Sequence, residues 1–301
     1  RFCIYSNPFP FNKGNTKLYY GGSREGDIGG PLVKIKKLIY LFPEYKSKFN
    51  LVYLLSNSNY LYKSNLILLK KKKYPIILNQ NGVFYPAWFK GDYEKENKKM
   101  STLYHLADYI LWQSNFCKKA SDKFLGKRMG KGEILYNSVD TNLFTPKLKN
   151  YKIFTFLITG NISKANNYRI KTVLIAFQKL VSSNKNVSLI IAGNIEDEKL
   201  FIKQIIKMKL CDKVSFLGKY NQREAPDLYH LANAYITMTY QDNCPSAVIE
   251  AMASGLPIIY SASGGLPELV DDNSGYGIKV QKNWEKIKIP EIKDIVHGMN
   301  K

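Results

Sequence analysis

QDNCPSAVIEAMASGLPIIYSASGGLPELV, residues 241–270, decides how this chain is read. Its centre, from Ala247 to Ala253, is apolar nearly all round and carries one carboxylate, Glu250. A helix apolar on every side is buried, and burying a carboxylate without partners costs on the order of several kcal/mol. Glu250 is therefore expected to have a partner. A structural ion pair with a nearby Lys or Arg is one candidate; a hydroxyl-bearing ligand is the other. The flanks favour the ligand. The strand "AYITMTY" runs out at Asp242, and Pro245 stands where a helix can begin, since its fixed φ and missing N–H are tolerated in the first turn. The N–H groups of Ser246, Ala247 and Val248 then face the sheet edge as an anion site, about one turn from Glu250. A phosphate on that helix end and a sugar hydroxyl on Glu250 together describe a nucleotide.

Working outward, short apolar runs alternate with longer helical patterns, the mark of βα units around parallel sheets. Strands are predicted at "FCIYS", "FNLVYLLS", "YPIILNQ", "ADYILWQS" and "GEILYNS", with helices near 31–41, 95–106 and 115–125. The second half repeats the rhythm: strands "IFTFLITG", "VSLIIAG", "KVSFLG", "AYITMTY" and "LPIIYSA", and helices near 170–181, 198–208, 226–232 and 246–254. The polar stretch "VDTNLFTPKLKNYK", with Pro146, separates two such sheets, so the expected domains are 1–145 and 146–301. Several second-half strands end in small residues, at Gly160-Asn161, Gly193-Asn194, Gly218-Lys219, Asp242-Asn243 and Ser263-Gly264-Gly265. Ligands bind beyond the carboxyl ends of such strands, so these ends form a polar rim.

At 301 residues and 45% hydrophobic, the chain can bury a sizeable core. Its four cysteines are far apart and match no metal or disulfide spacing. No apolar run reaches membrane-spanning length and the first residues lack a signal-peptide layout, so a cytoplasmic protein is expected. The chain starts at Arg1 inside an expected strand, as though a few residues preceded it. A net charge of +21 favours anionic partners. No helix-turn-helix, RNP-like or zinc motif accompanies it, so no nucleic acid is expected. The run Lys70–Lys73 reads as a solvated helix end before a turn at Tyr74-Pro75, with peripheral contact to an anionic inner membrane face as the alternative. His105, His230 and His297 lie outside the glycine-rich strand ends and are read as structural. Asp271-Asp272 reads as a turn.

Asp242, seven residues, Glu250, then "AMASGLP", a strand and "GGLPE" resemble the signature of family 4 retaining glycosyltransferases, which have the GT-B fold of two Rossmann-like domains facing a central cleft. "GDIGGPLVKIKKL", "ADYILWQSNFCKKASDKFLG", "ILYNSVDTNLFTP" and "VSFLGKYNQREAPDLYHLANAYI" extend the likeness along the chain. The resemblance implies transfer of a sugar from a nucleotide diphosphate sugar to a carbohydrate or lipid-linked acceptor, with the N-domain binding acceptor and the C-domain donor. No cofactor or metal is expected beyond the nucleotide-sugar co-substrate.

Residue by residue, the resemblance implies that Glu250 holds the ribose and Asp242 the donor sugar's hydroxyls. The helix start at Ser246, Ala247 and Val248 and the loop Gly264-Gly265 lie near the diphosphate, with Gly160 and Lys219 as further donor-side candidates. Gly29 and Gly30 close on the donor from the N-domain as the two domains hinge about the linker. Asp242 stands where Glu is usual, Ser138 where Gly is usual, and Asn161 where Arg is common, leaving Lys164 and Arg169 as the cations for the departing diphosphate. The competing readings are a solvated loop lysine and a surface ion pair. Asn81-Gly82 with Phe84, Tyr85 and Trp88 reads as an acceptor loop, Asn81, Tyr85 and Trp88 being its candidate contacts, or else as a loop packed by its own aromatics. A GT-B sugar-nucleotide epimerase and a non-catalytic nucleotide-sugar or nucleic-acid binder are the alternatives.

Overall fold

The computed structural model describes residues 2–6, 15–26, 30–57, 61–147 and 152–301. The first elements are α1 (Phe2–Ser6), β1 (Leu18–Tyr19), α2 (Gly30–Leu41), β2 (Leu51–Leu55), α3 (Lys63–Lys71), β3 (Ile76–Gln80), α4 (Tyr93–Leu106), β4 (Tyr109–Trp112), α5 (Asn115–Phe124) and β5 (Lys131–Ile134). There follow β6 (Phe154–Ile162), α6 (Tyr168–Ser183), β7 (Val187–Ile195), α7 (Glu198–Lys207), β8 (Val214–Gly218), α8 (Ala225–His230) and β9 (Ala234–Thr237). The chain ends with α9 (Ser246–Ala253), β10 (Ile258–Ala262), α10 (Leu266–Leu269), β11 (Gly275–Lys279) and α11 (Ile292–Asn300). Two compact units result, Arg1–Tyr136 with Trp284–Lys286, and Asn137–Asn283 with Ile287–Lys301.

Each unit is built on one parallel sheet. The first has strand order β1-β2-β3-β4-β5 and the second β11-β10-β9-β6-β7-β8. Parallel neighbours need a crossover, and helical crossovers cover the sheet faces. In the second unit the period of two is visible residue by residue. Phe156, Ile158, Ile236 and Ile259 join one apolar cluster with α6, α7 and α11. Their neighbours Leu157, Tyr235, Ile258 and Tyr260 join another with α8, α9 and α10. Successive residues thus enter opposite layers.

In the first unit, buried Tyr20, Ile35 and Leu55 pack with Leu18, Leu38, Ile39 and Tyr53. Helix starts follow their side chains: Asp92 accepts from Lys95 N–H at 2.9 Å before α4, and Ser114 from Cys117 N–H at 3.0 Å before α5.

Four expectations need correction. "FCIYS" is a short helix, not a strand, and the Lys72 ammonium donates to its last carbonyls, Ile4 O at 2.9 Å and Tyr5 O at 2.8 Å. The lysine run is accordingly not simply solvated, since Lys70 also pairs with Asp108. The units part at Tyr136/Asn137, ahead of the expected 145/146 division, because Asn137 and buried Phe144 already belong to the second unit: Asn137 Nδ2 donates to Cys244 O at 2.6 Å and Phe144 packs on Tyr229. Finally, Trp284–Lys286 returns to the first unit, where Ala87 N–H donates to Trp284 O at 2.8 Å.

Candidate active site

The second sheet reverses direction between β6 and β9. The chain runs outward through β6, β7 and β8, then restarts beside β6 with β9 and continues through β10 and β11. In open parallel sheets ligands bind beyond the carboxyl ends of the strands at such a switch point. Here those ends are Gly160-Asn161-Ile162 and the segment after Thr237 that leads to Asp242. Sequence reasoning found the polar strand ends; only the strand order shows which two lie side by side.

Segment 240–244 is held by its backbone. Tyr240 N–H donates to the Tyr168 hydroxyl at 3.2 Å, and Gln241 N–H to Ser263 Oγ at 3.0 Å. Gly265 N–H donates to Asp242 O at 2.7 Å, while Cys244 N–H donates to Asp242 Oδ1 at 3.1 Å. Gly264 has φ +68°, and a Cβ there would overlap the Asp242 carbonyl. Gly264-Gly265 is thus the mould of the Asp242 turn, and the Gly265 N–H is already spent on it. Burial pushes the Asp242 carboxyl above its ordinary pKa, opposed by the Cys244 N–H and by the Arg169 guanidinium.

Arg169 stands at the start of α6 beside Gly160, whose open backbone leaves it room; an added Cβ would lie 3.3 Å from Arg169 Nη2. Its Nε is buried and has no hydrogen-bond partner among the described residues. Among the described residues Arg169 forms no ion pair, so the surface pair that competed for it is not seen there. Lys164 is exposed, with its backbone N–H on Glu196 Oε2 at 3.0 Å, and Lys219 is exposed after β8. The cation acting on Asp242 is Arg169.

Glu250 is 8% exposed. Its two oxygens accept from Gln222 Nε2 at 2.9 Å and from the Tyr229 hydroxyl at 3.0 Å. Among the described residues it forms no ion pair, so the Lys or Arg partner considered from sequence is absent. Tyr229, on α8, is fully buried and its pKa is raised well above the ordinary value, first by burial, so it stays a neutral donor. Tyr220, half-buried after β8, also lies near Glu250 and Thr159. Gln222, Tyr229 and Tyr168 were missed from sequence. Only the stretch "KYNQREAPDLY", standing between a strand end and a helix, could have pointed to the first two.

At the start of α9, Pro245 has extended backbone and no side chain caps the helix. Val248 N–H already donates to Pro245 O at 3.1 Å, so the expected triplet of free N–H groups shrinks to Ser246 and Ala247. Ser246 Oγ accepts a long bond, 3.4 Å, from Asn137 Nδ2.

In the first unit, Gly29 lies outside the described residues, and Gly30 opens α2 with nothing near its Cβ position. Asn81 sits in an amide and hydroxyl network. Its N–H donates to Ser56 Oγ at 3.0 Å, its Nδ2 to Asn57 Oδ1 at 2.7 Å, and its Oδ1 accepts from Gln113 Nε2 at 2.8 Å. Tyr85 corrects the acceptor-loop reading. It is 2% exposed and its ring packs on Phe124 and Trp284, so it has no face to offer a sugar. Trp88 is 52% exposed, stacked on Phe84. The histidines serve structure: His105 and His230 bond the carbonyls of Leu125 and Thr145, and His297 lies edge-on to Tyr276. Asp271 closes a turn, accepting from Asn273 and Ser274 N–H. Among the described residues no group of His, Cys, Asp or Glu is arranged to hold a metal ion, and no helix is long and apolar enough to cross a membrane.

The chain resembles a probable sucrose-phosphate synthase of Thermosipho melanesiensis, 25% identical over 178 residues that cover 52% of this chain and 41% of that protein. The chain spans less than half the length of the first curated relatives it matches. Among solved structures, sucrose-phosphate synthase from Thermosynechococcus elongatus matches with TM-score 0.65 at 16% identity, over 98% of this chain and 77% of that one. Anabaena HepE in complex with UDP and glucose matches with TM-score 0.64 at 16% identity, over 92% and 74%. These likenesses show that the two sheets are those of the GT-B fold. Residues 140–293, more than half of the chain and all of the site in the second unit, match the family described as Glycosyl transferases group 1, and the chain belongs to that family.

Proposed function

We propose that this chain is a retaining glycosyltransferase whose second unit binds a nucleotide diphosphate sugar at the β6/β9 switch point. The observation that carries this is the presence in one unit of a nearly buried carboxylate, Glu250, held by neutral donors among the described residues, and a guanidinium, Arg169, whose buried Nε has no hydrogen-bond partner among the described residues. One is suited to a diol and the other to an anion. The complex of Anabaena HepE with UDP and glucose supports the same ligand class.

In this reading Glu250 takes the ribose hydroxyls, with Tyr229 holding its second oxygen in place. The Ser246 and Ala247 N–H groups and Arg169 take the diphosphate. Asp242 orients the sugar by accepting from its hydroxyls, and its turn is rigid because Gly264, Gly265 and Cys244 fix it. Breaking the sugar–phosphate bond leaves charge on the departing diphosphate, and a preorganised guanidinium stabilises that charge without reorganising at the moment of reaction. The acceptor's hydroxyl oxygen bonds the anomeric carbon on the face the diphosphate leaves and gives its proton to the departing phosphate oxygen, so the anomeric configuration is retained and no protein nucleophile is required. Arg169 and the helix end supply the charge stabilisation, and a metal ion is not needed for it. Asn81 and exposed Trp88 present the acceptor-side contacts, to a carbohydrate or lipid-linked acceptor.

The test is a thermal-shift screen against UDP, GDP, ADP and their sugar conjugates, with and without chelator. Stabilisation by one diphosphate family, unaffected by chelator and lost in Glu250→Ala, is expected. No stabilisation by any of them would refute the nucleotide site. NMR of the product anomer tests retention.

A further inference from the structure

The first unit carries a surface that the donor chemistry does not use. At the C-terminal end of α2 the side chains of Tyr40, Leu41 and Phe42 are 86%, 66% and 54% exposed, and Tyr45 just beyond them is 40% exposed. Large apolar side chains exposed singly are ordinary; four together in six residues are an exposed apolar patch, which marks an interaction site. The patch is held rather than frayed. Ile35 is buried and Leu38 and Ile39 pack with it against Tyr20 and Leu55, which turns the opposite face of α2 outward. Phe42 N–H donates to Leu38 O at 2.7 Å, the buried Tyr20 hydroxyl donates to Phe42 O at 2.9 Å, and Tyr45 N–H donates to Leu18 O at 2.7 Å. The backbone on both sides of Pro43 is thus tied to β1, and the rings stand out because the chain beneath them is anchored.

The exposed charges along this stretch of chain are all positive. Lys36 and Lys37 lie three to five residues before Tyr40 and Leu41, on the same helix face, and are exposed, as are Lys46 and Lys48 after the loop. Between residues 30 and 48 the sole acid is Glu44, which is half-buried and accepts from Tyr20 N–H at 3.2 Å. Aromatic and aliphatic side chains ringed by lysines match the interfacial layer of an anionic bilayer, where rings and a leucine enter the acyl boundary and ammonium groups meet headgroup phosphates. A nucleic-acid backbone would satisfy the lysines but leave Leu41 and Phe42 in water.

We infer that the end of α2 and the loop to Lys48 dock the protein on an anionic lipid bilayer. This places membrane contact at the apolar patch and not at Lys70–Lys73. It does not rest on the proposed donor site, and would hold for a chain without transferase activity.

The experiment is co-sedimentation of the full chain with phosphatidylcholine vesicles, with and without phosphatidylglycerol. Binding only to the anionic vesicles is expected. It should weaken roughly fivefold for each of Lys36 and Lys37 changed to Gln, vanish in the combined Tyr40→Ser, Leu41→Ser, Phe42→Ser variant, and persist in Lys71→Gln. Because those three side chains are exposed, the variant should keep the wild-type melting temperature, which is measured alongside. Tyr40→Trp adds a readout independent of any loss: its fluorescence should be quenched by brominated anionic lipid. Binding equal for both vesicle types, binding that survives the triple change, or absent quenching overturns the inference. So does loss, through the same residues, of a duplex-DNA complex or of a dimer in a chain that ignores vesicles.

Discussion

If Glu250 serves a ribose, replacing Glu250 and replacing Gln222 should move nucleotide affinity in opposite directions. In Glu250→Ala the Tyr229 hydroxyl is not orphaned, because Ala247 O lies 3.2 Å away, and half-buried Gln222 can turn to water. The fold therefore loses two hydrogen bonds to a charged group but also sheds a carboxylate that is 8% exposed. We expect a stability cost of about 1–3 kcal/mol, a melting shift of several degrees at most. The ligand loses its carboxylate acceptor, about 3 kcal/mol, or a Kd raised about a hundredfold. Gln222→Ala does the reverse. It keeps the carboxylate and removes the amide that occupies Oε1 at 2.9 Å, so the ribose no longer displaces a protein donor and the Kd should fall about fivefold, the worth of about 1 kcal/mol. Calorimetric titration with the diphosphate found in the thermal-shift screen reads both. If both variants lose stability together and leave the Kd unchanged, Glu250 is structural and the reasoning fails.

Four further outcomes can be checked. Arg169→Gln should lower turnover roughly a hundredfold and weaken diphosphate binding; unchanged kcat in a folded variant would remove it from the mechanism. Burial holds the Asp242 carboxyl above its ordinary range, so whatever stability its neutral form contributes is full below that range and lost as pH rises through the raised value. Asp242→Asn should therefore melt at or above the wild type near neutral pH, with the gain closing in acid, while turnover is lost; a lower melting temperature at neutral pH would contradict this. Gly264→Ala, forced to φ +68° against the Asp242 carbonyl, should cost about 2 kcal/mol or more, read by thermal unfolding. Tyr85→Ala should cost about 3–5 kcal/mol as a core deletion, whereas exposed Trp88→Ala should leave the melting temperature nearly unchanged and raise KM for the acceptor; equal melting temperatures would restore Tyr85 as a surface group.

In the second unit β6, β7, α6 and α7 were legible because each is a long, strongly periodic segment, and they lie within a few residues of where the pattern puts them, whereas α10, β11 and α11 were not read from the sequence. The family signature was legible for the same reason, its residues being local to one strand, turn and helix. The strand reading of "FCIYS" failed because five apolar and hydroxyl residues carry no period of their own, and it is Lys72, far along the chain, that caps their helix. Tyr85 and Trp88 look alike in sequence, and differ because Trp284 and Phe124 close over one ring and not the other.

The sequence by itself determined the class of fold, the place of the Asp242 turn and of Glu250 on α9, and the need for a partner at that carboxylate, since these follow from spacing along one segment. What satisfies Glu250, which cation faces Asp242 and which strand ends lie side by side were decided only by the tertiary structure. Gln222 and Tyr229 reach Glu250 from 28 and 21 residues away. Arg169 reaches Asp242 only because β9 returns to pair with β6. Such contacts depend on strand order, and strand order is set by which faces can be buried together, which no local stretch encodes.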